Sequence, residues 1–304
     1  MTLPGDPAVS VLIATRNRAA SLAATLHSLD VAQATIAAPT EVVVIDNGST
    51  DETATVLERW AAASPSHVTL RVEVPGKSRA LNYALPRVRA PLLAFTDDDV
   101  EVTPTFLSAI VAFFAAHAEY AAAIGRVLPP AGPIDPQLLA RIAQYRTIAF
   151  FDHGDAVRDE SLLHGSNMVL RRTVFDTIGG FNETLGPGGT GGMEDQELGE
   201  RLRRAGLRIG YMPEVVVHHA IDPSRLTPEY FRRFQMVQAR SRLAMDPTHA
   251  WRRALPRLVE SALGFAWWSL LAQPVRREHA RGRLLRNAEI LRLHWRRRSA
   301  AGEV

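Results

Sequence analysis

The sequence predicts an α/β protein with a mostly parallel central sheet flanked by helices, followed by a helical C-terminal extension. Three observations predict it. Apolar runs of five to seven residues recur through the first hundred positions, helical spacing follows each of them, and the pattern is helical almost without break from Thr227. Short β-rich runs separated by crossover helices favour parallel pairing, and such sheets bind ligands beyond the carboxyl ends of their strands.

The elements follow in order. Val9 to Ala14 is the first predicted strand, followed by a helix over roughly 19–29. Glu41 to Ile45 is the second, ending in Asp46-Asn-Gly-Ser-Thr-Asp51, where Ser49 or Thr50 is placed to cap a helix running to about Ala63. Val68 to Val74 is a third strand, 77–88 a third crossover helix and Pro91 to Phe95 a fourth strand, with a helix predicted over 103–116. Ala121 to Val127 continues the strands, four prolines within 128–136 break the chain, and a helix is expected near 137–149. Leu162–Leu170 and Leu207–Val217 read as further strands flanking a helix at about 194–205, all returning to the same sheet.

At 304 residues, with 46% hydrophobic and 22% charged residues, the chain can bury a sizeable core. The expected organisation is a catalytic domain over 1–222, with one half over about 8–120 and the other over about 121–222, and a helical extension over 223–304. The absence of cysteine excludes disulfides and thiolate metal sites. The N-terminal residues lack the basic start and apolar core of a signal peptide, and no apolar run reaches the ~20 residues needed to span a bilayer. A cytoplasmic protein, peripheral on a membrane at most, is the expectation. Net charge is +3, but from Trp251 onward 12 Arg stand against 4 Glu, a balance of +8 that leaves −5 on the preceding residues. Lys77 is the only lysine.

Three predicted strand ends carry polar residues: Thr15-Arg16-Asn17-Arg18, Asp46-Asn-Gly-Ser and Thr96-Asp97-Asp98-Asp99. Three adjacent carboxylates at the end of a buried strand repel one another and resist desolvation unless a cation sits among them. Hard oxygen ligands suit Mg²⁺ or Mn²⁺, which share their coordination with substrate phosphates. A solvated acidic turn leading into the next helix is the simpler reading of an isolated triplet. Its place at the ligand-binding edge of the sheet favours function.

Seven segments extend this picture: Val9-Ser-Val-Leu-Ile-Ala-Thr-Arg-Asn-Arg, Val44-Ile-Asp-Asn-Gly-Ser-Thr-Asp-Glu-Thr, Lys77-Ser-Arg-Ala-Leu-Asn, Phe95-Thr-Asp-Asp-Asp, Gly165-Ser-Asn-Met-Val-Leu-Arg-Arg, Gly179-Gly-Phe-Asn-Glu and Met193-Glu-Asp-Gln-Glu-Leu-Gly-Glu-Arg-Leu. In this order and spacing, over roughly 8–220, the chain resembles a family 2 glycosyltransferase with the GT-A fold. The resemblance implies a metal-dependent, inverting transfer of sugar from a nucleotide-diphosphate donor, with UDP-sugars the family default, to a glycan, lipid-linked or small-molecule acceptor. It implies that Thr15, Arg16, Asn17 and Asp46 line the nucleotide pocket, that Lys77, Arg79 and Asn82 approach base or diphosphate, and that Asp97 and Asp99 form the Asp-x-Asp signature with Asp99 on the metal. Asp98 stays ambiguous, since either adjacent pair can be the working one. Gly165 and Asn167 would floor the sugar pocket. Asp195, with Glu194 beside it, matches the family's catalytic base, although both are also ordinary first-turn helix residues.

Val215-Val-Val-His218-His219 ends an apolar run with paired imidazoles, and His218 is a candidate to complete the metal shell, with His219 beside it open to the same role. His164 is a weaker candidate. Five glycines in 186–192 suit a lid or acceptor loop that orders on binding. The Gln-x-x-Arg-Trp motif of polymerising members has no Trp counterpart near Gln235 and Arg240, which favours one sugar per event. Trp267, Trp268 and Trp295 beside arginines fit an interfacial helix on anionic lipid, while a helical pair with a solvated Arg face is the alternative. No nucleic-acid motif accompanies the basic stretch. Other nucleotide-sugar or nucleotidyl transfer, or an inactive membrane-associated scaffold, are the rival readings. A nicotinamide enzyme is disfavoured because no Gly-x-Gly-x-x-Gly turn follows the first strand.

Overall fold

The computed structural model describes residues 6–300. The N-terminal stretch examined for a signal sequence therefore lies almost wholly outside the described residues. The chain divides into two compact units. The first comprises the described chain to Ala131 together with Phe150–Glu183 and Glu194–Ala220. The second comprises Gly132–Ala149, Thr184–Met193 and the chain from Ile221 onward. Two short segments expected in the catalytic half thus belong to the helical unit.

In the first unit β1 (Val9–Thr15), α1 (Ala19–Ala34), β2 (Thr40–Asp46), α2 (Thr53–Ala61), β3 (His67–Arg71), α3 (Lys77–Ala84) and β4 (Leu92–Thr96) alternate as expected. β5 (Val100–Val102), α4 (Phe106–Ala116) and β6 (Tyr120–Leu128) follow. In the second unit, α5 (Pro136–Tyr145) begins with Asp135, whose side chain accepts from the Gln137 N–H. Back in the first unit, β7 (Arg158–Glu160), β8 (Asn167–Arg171), α6 (Thr173–Ile178), α7 (Glu194–Arg204) and β9 (Arg208–His219) complete the sheet.

The strand order is β3-β2-β1-β4-β8-β6-β9-β5, with β7 paired to β9. β1, β2, β3 and β4 pair in parallel, because each is reached by a crossover helix. Beyond β4 the sheet turns mixed. β8 runs antiparallel to both β4 and β6, β9 is parallel to β6, and β5 and β7 pair antiparallel with β9. Hydrophobic runs specify strands but not their direction, so the parallel expectation holds for β1–β4 and for β6 with β9, while β5, β7 and β8 run antiparallel to their neighbours.

Side chains alternate across the sheet with the period of two that a strand imposes. On one face Val9, Val11 and Ile13 of β1 and Val42 and Val44 of β2 pack with α1, α2 and α4 residues such as Leu26, Trp60 and Phe106. On the other face Leu12, Val43 and Ile45 pack with Leu81, Phe181 and Leu198. Both faces are covered, which explains why the strands read as continuous apolar runs.

Three local expectations change. Ser49 and Thr50 do not cap α2. The Asp51 carboxylate accepts from the Thr53 backbone instead, and the Ser49 hydroxyl accepts from the Asn17 N–H. The helix expected from 103 begins at Phe106, because the residues after Asp99 first form β5. Residues 162–166 form no strand, and β8 starts at Asn167.

The second unit is helical: α5, α8 (Pro228–Met245), α9 (Ala250–Leu270) and α10 (Pro274–Ala300). Thr227 caps α8 by accepting from the Tyr230 N–H. Ala239, Leu243, Ala250, Ala254 and Ile290 form this unit's small core. The glycine-rich segment 186–192 is tied within it. Gly186 pairs with Gly192, the Thr190 and Ser241 hydroxyls lie 2.8 Å apart, and Gly191, at φ 108°, lies against Val237. Its glycines serve a folded turn with left-handed backbone at Gly186, Gly188 and Gly191. No described helix is long and apolar enough to cross a membrane.

Where β6 passes β9, a Cβ on Gly125 would collide with the Asn167 amide and the Val215 carbonyl oxygen. We expect Gly125→Ala to destabilise the fold by about 1–3 kcal/mol, measured by urea denaturation. An unchanged midpoint would mean the strands separate without cost.

Candidate active site

The carboxyl ends of β1, β2 and β4 meet where the strand order reverses about β1, the position at which open α/β sheets hold ligands. Thr15 pairs with Asp46 in the β1–β2 register, and the Thr15 hydroxyl donates to Asp98 Oδ2 at 2.7 Å. Asp46 is buried. It accepts from the Ser49 N–H and pairs with Arg71 at 2.7 Å. Arg71 escaped the sequence reading, although it stands opposite Asp46 in the β2–β3 register.

The aspartate triplet separates into three directions. Asp98, the middle residue, turns to Thr15, and burial pushes its carboxyl up to about 6 against the lowering effect of the Thr15 hydroxyl. Asp97 turns to Lys77, with Nζ to Oδ1 at 2.6 Å. Asp99 turns to His219, with Nε2 to Oδ1 at 3.5 Å. Asp97 and Asp99 thus offer oxygens to one cluster with His219, while Asp98 is engaged by Thr15.

Lys77 opens α3 and also lies 3.4 Å from Glu194 Oε1 at the start of α7. Burial alone would push its ammonium down, but Asp97, Glu194 and Asp195 outweigh burial and hold it well above the ordinary lysine range. Asn47 positions the turn before it by accepting from the Gly76 N–H at 2.6 Å.

Asp195 accepts from the Gly165 N–H and from the Gln196 N–H, each at 2.8 Å. Desolvation raises its carboxyl above the usual aspartate range, and the Gly165 bond and Lys77 offset part of the rise. Lys77 Nζ and Asp195 Oδ2 both stand close to Gly165, within ordinary van der Waals distance of where a Cβ would lie.

Asp97, Asp99 and His219 each offer a donor atom, and these lie within 4.8 Å of one another. Ligands of an octahedral ion at ~2.1 Å stand ~3 to ~4 Å apart, so the group fits one divalent cation with slight closure. The His219 Nδ1 lies 2.8 Å from the Ala220 carbonyl oxygen, which makes that nitrogen the donor and turns the Nε2 lone pair toward Asp99. A ligating histidine ordinarily has this second bond. His218, the candidate by sequence, sits on the opposite side of β9 with Nδ1 2.8 Å from the Pro129 carbonyl oxygen. Alternation along the strand puts His219 rather than His218 in the cluster with Asp97 and Asp99. β5, unforeseen in sequence, brings the two sites together by pairing against the end of β9.

The other candidate residues lie as follows. Asn167 is fully buried, donates to the Arg126 and Val215 carbonyl oxygens and holds β8 to its neighbours, so it floors no pocket. Asn82 brackets Phe181 by accepting from its N–H and donating to its carbonyl. Arg79 pairs with Glu183 at 3.0 Å. Asn17 links the first two loops, its Oδ1 accepting from the Thr50 N–H. Arg16 is exposed. His164 packs against Phe151, and burial pushes its imidazole down.

A family model described as "Glycosyltransferase like family 2" matches residues 7–243. The O-antigen biosynthesis protein RfbC of Myxococcus xanthus is 29% identical over 231 residues, covering 71% of this chain and 17% of that protein. The succinoglycan biosynthesis protein ExoM of Rhizobium meliloti is 28% identical over 242 residues, covering 78% of this chain and 75% of its own length. The chain thus spans a small part of the first relative and most of the second. Among solved structures, a mannosyltransferase from Pyrobaculum calidifontis in complex with GDP-Man and Mn²⁺ superposes with a TM-score of 0.53 at 22% identity, over 99% of this chain and 76% of that one. At that identity the likeness concerns the fold.

The geometry sets a test of the cation site. At an Mn²⁺ concentration a hundredfold above its Kd, we expect stabilisation by about 2.7 kcal/mol in a thermal-shift measurement. His219→Ala and Asp99→Ala should abolish it, and His218→Ala should retain it. The opposite ranking of the two histidines would overturn the assignment.

Proposed function

The chain belongs to glycosyltransferase family 2 and is an enzyme of that transferase type, and from that premise we propose that it moves one sugar from a nucleoside-diphosphate donor to a hydroxyl of a cell-envelope saccharide or lipid-linked acceptor. Transfer is a single displacement with inversion at the anomeric carbon. The observation that carries this reading is the unbroken run of contacts from Thr15 through Asp98, and from Asp97 through Lys77 to Glu194, with Asp195 beside it. Those contacts support a single cleft in which nucleoside, diphosphate and a carboxylate base would meet.

Thr15, Asp46 and Asn17 border the place for the nucleoside. Asp97, Asp99 and His219 would hold Mn²⁺ or Mg²⁺, and the imidazole tilts the preference toward Mn²⁺. Bound there, the ion would supply Lewis-acid stabilisation of charge on the departing diphosphate. Lys77, fixed as a cation, adds a second positive charge beside Asp97. Asp195 takes the acceptor hydroxyl's proton as that oxygen bonds to the anomeric carbon and the bond to the diphosphate oxygen breaks. Its raised pKa strengthens it as a base, and the Gly165 and Gln196 N–H groups fix its orientation. One base opposite one leaving group gives inversion.

The acceptor class rests on the polysaccharide-related names of the two curated relatives. One sugar per event is supported by the absence of Trp beside Gln235, Gln238 and Arg240, where the Gln-x-x-Arg-Trp motif of polymerising members is not formed. A thermal-shift screen of nucleotide sugars with and without Mn²⁺ identifies the donor. Stabilisation by no nucleotide sugar would overturn the reading.

For the chemical step we expect Asp195→Asn to lower kcat by about a hundredfold to ten-thousandfold with donor binding retained. In the wild type, kcat should rise with pH through an ionisation above the usual ~3.9 of aspartate, since only the carboxylate accepts a proton. A variant with unchanged kcat would remove Asp195 from the role of base.

A further inference from the structure

The helical unit leaves one face of α9 uncovered. Leu255, Val259, Leu263, Trp267 and Leu270 recur at intervals of three or four residues and are 52%, 57%, 68%, 55% and 78% exposed. The opposite side of the helix buries Ala254 and Ser261, with Gly264 against Ala280 of α10. At ~1.5 Å per residue the exposed stripe is ~22 Å long. Between Arg257 and Arg276 the sequence carries one charged residue, Glu260. Exposed arginines mark both ends: Arg252 before the stripe, Arg276 and Arg277 after it. Arg276 also lies 4.6 Å over the Trp268 ring, at the end where an indole would meet lipid headgroups.

We propose that this face is a docking surface for an anionic phospholipid bilayer. α9 lies in the plane of the interface with its leucines and Trp267 below the headgroups, and the terminal arginines engage lipid phosphates. A one-sided apolar stripe with cationic ends is the pattern of a helix that lies on a membrane. The +8 balance of the segment from Trp251 onward disfavours a second copy of the same surface as the occupant, because two such segments repel. The inference stands apart from the sugar chemistry, since none of these residues belongs to the candidate active site.

Flotation of the full chain with vesicles tests it. The protein should float with phosphatidylcholine vesicles that contain phosphatidylglycerol and stay behind with phosphatidylcholine alone. L263E/W267E should weaken binding at least about tenfold, with circular dichroism and Tm unchanged because both positions are exposed. L255E/V259E should do the same from the other end of the stripe, and it decides the matter if the first pair perturbs folding. R276Q/R277Q should weaken binding and flatten its salt dependence. The proposal is overturned if the wild type ignores anionic vesicles, or if both acidic pairs bind as the wild type does. It is also overturned if light scattering shows a wild-type dimer that L263E/W267E dissociates while neither binds lipid.

Discussion

Lys77 stands between carboxylates delivered by separate parts of the chain: Asp97 from the end of β4, Glu194 and Asp195 from the start of α7. Carboxylates gathered so closely in a partly desolvated cleft repel one another, and without a cation the cluster would protonate or open. A single ammonium allows β4, α3 and α7 to converge. The loop before α3 is held by Asn47, and the Gly165 N–H fixes Asp195 beside the ammonium. The position of the only lysine in the chain is thus an electrostatic requirement of the site.

The Asp triplet shows how three like charges are kept in one turn. Asp98 is withdrawn to the Thr15 hydroxyl, Asp97 is neutralised by Lys77, and Asp99 faces His219. Asp97, Asp99 and His219 offer donor atoms close enough to share one cation, and the other ring nitrogen of His219 is held by the Ala220 carbonyl. On the proposed reading, donor diphosphate, cation and base lie on one line of contacts. Changes at Lys77 would then disturb both ends of the reaction together.

The helical unit answers to different physics. Its small core leaves α9 with a long apolar face, and its surface charge is opposite in sign to that of the preceding residues. An acidic body carrying a basic, aromatic helix has the electrostatic asymmetry suited to an anionic surface.

Much of this was legible in the residues. Apolar runs located β1, β2, β4, β6 and β9. The polar ends of β1, β2 and β4 located the cleft, and the ordered motifs from Val9 to Leu202 identified the family, because these features depend on local patterning alone. The rest depended on pairing between distant segments. The direction of β8, the existence of β5 and β7 and the side of β9 that carries His219 follow from strand register, which short strands do not encode by themselves, and the separate directions of Asp97, Asp98 and Asp99 from the turn that joins β4 to β5. Asn167 and Asn82 looked like ligand contacts and serve as internal clamps. Arg71 drew no notice and holds Asp46. A polar side chain's role is decided by which backbone it meets across the fold, and only the tertiary structure fixes that.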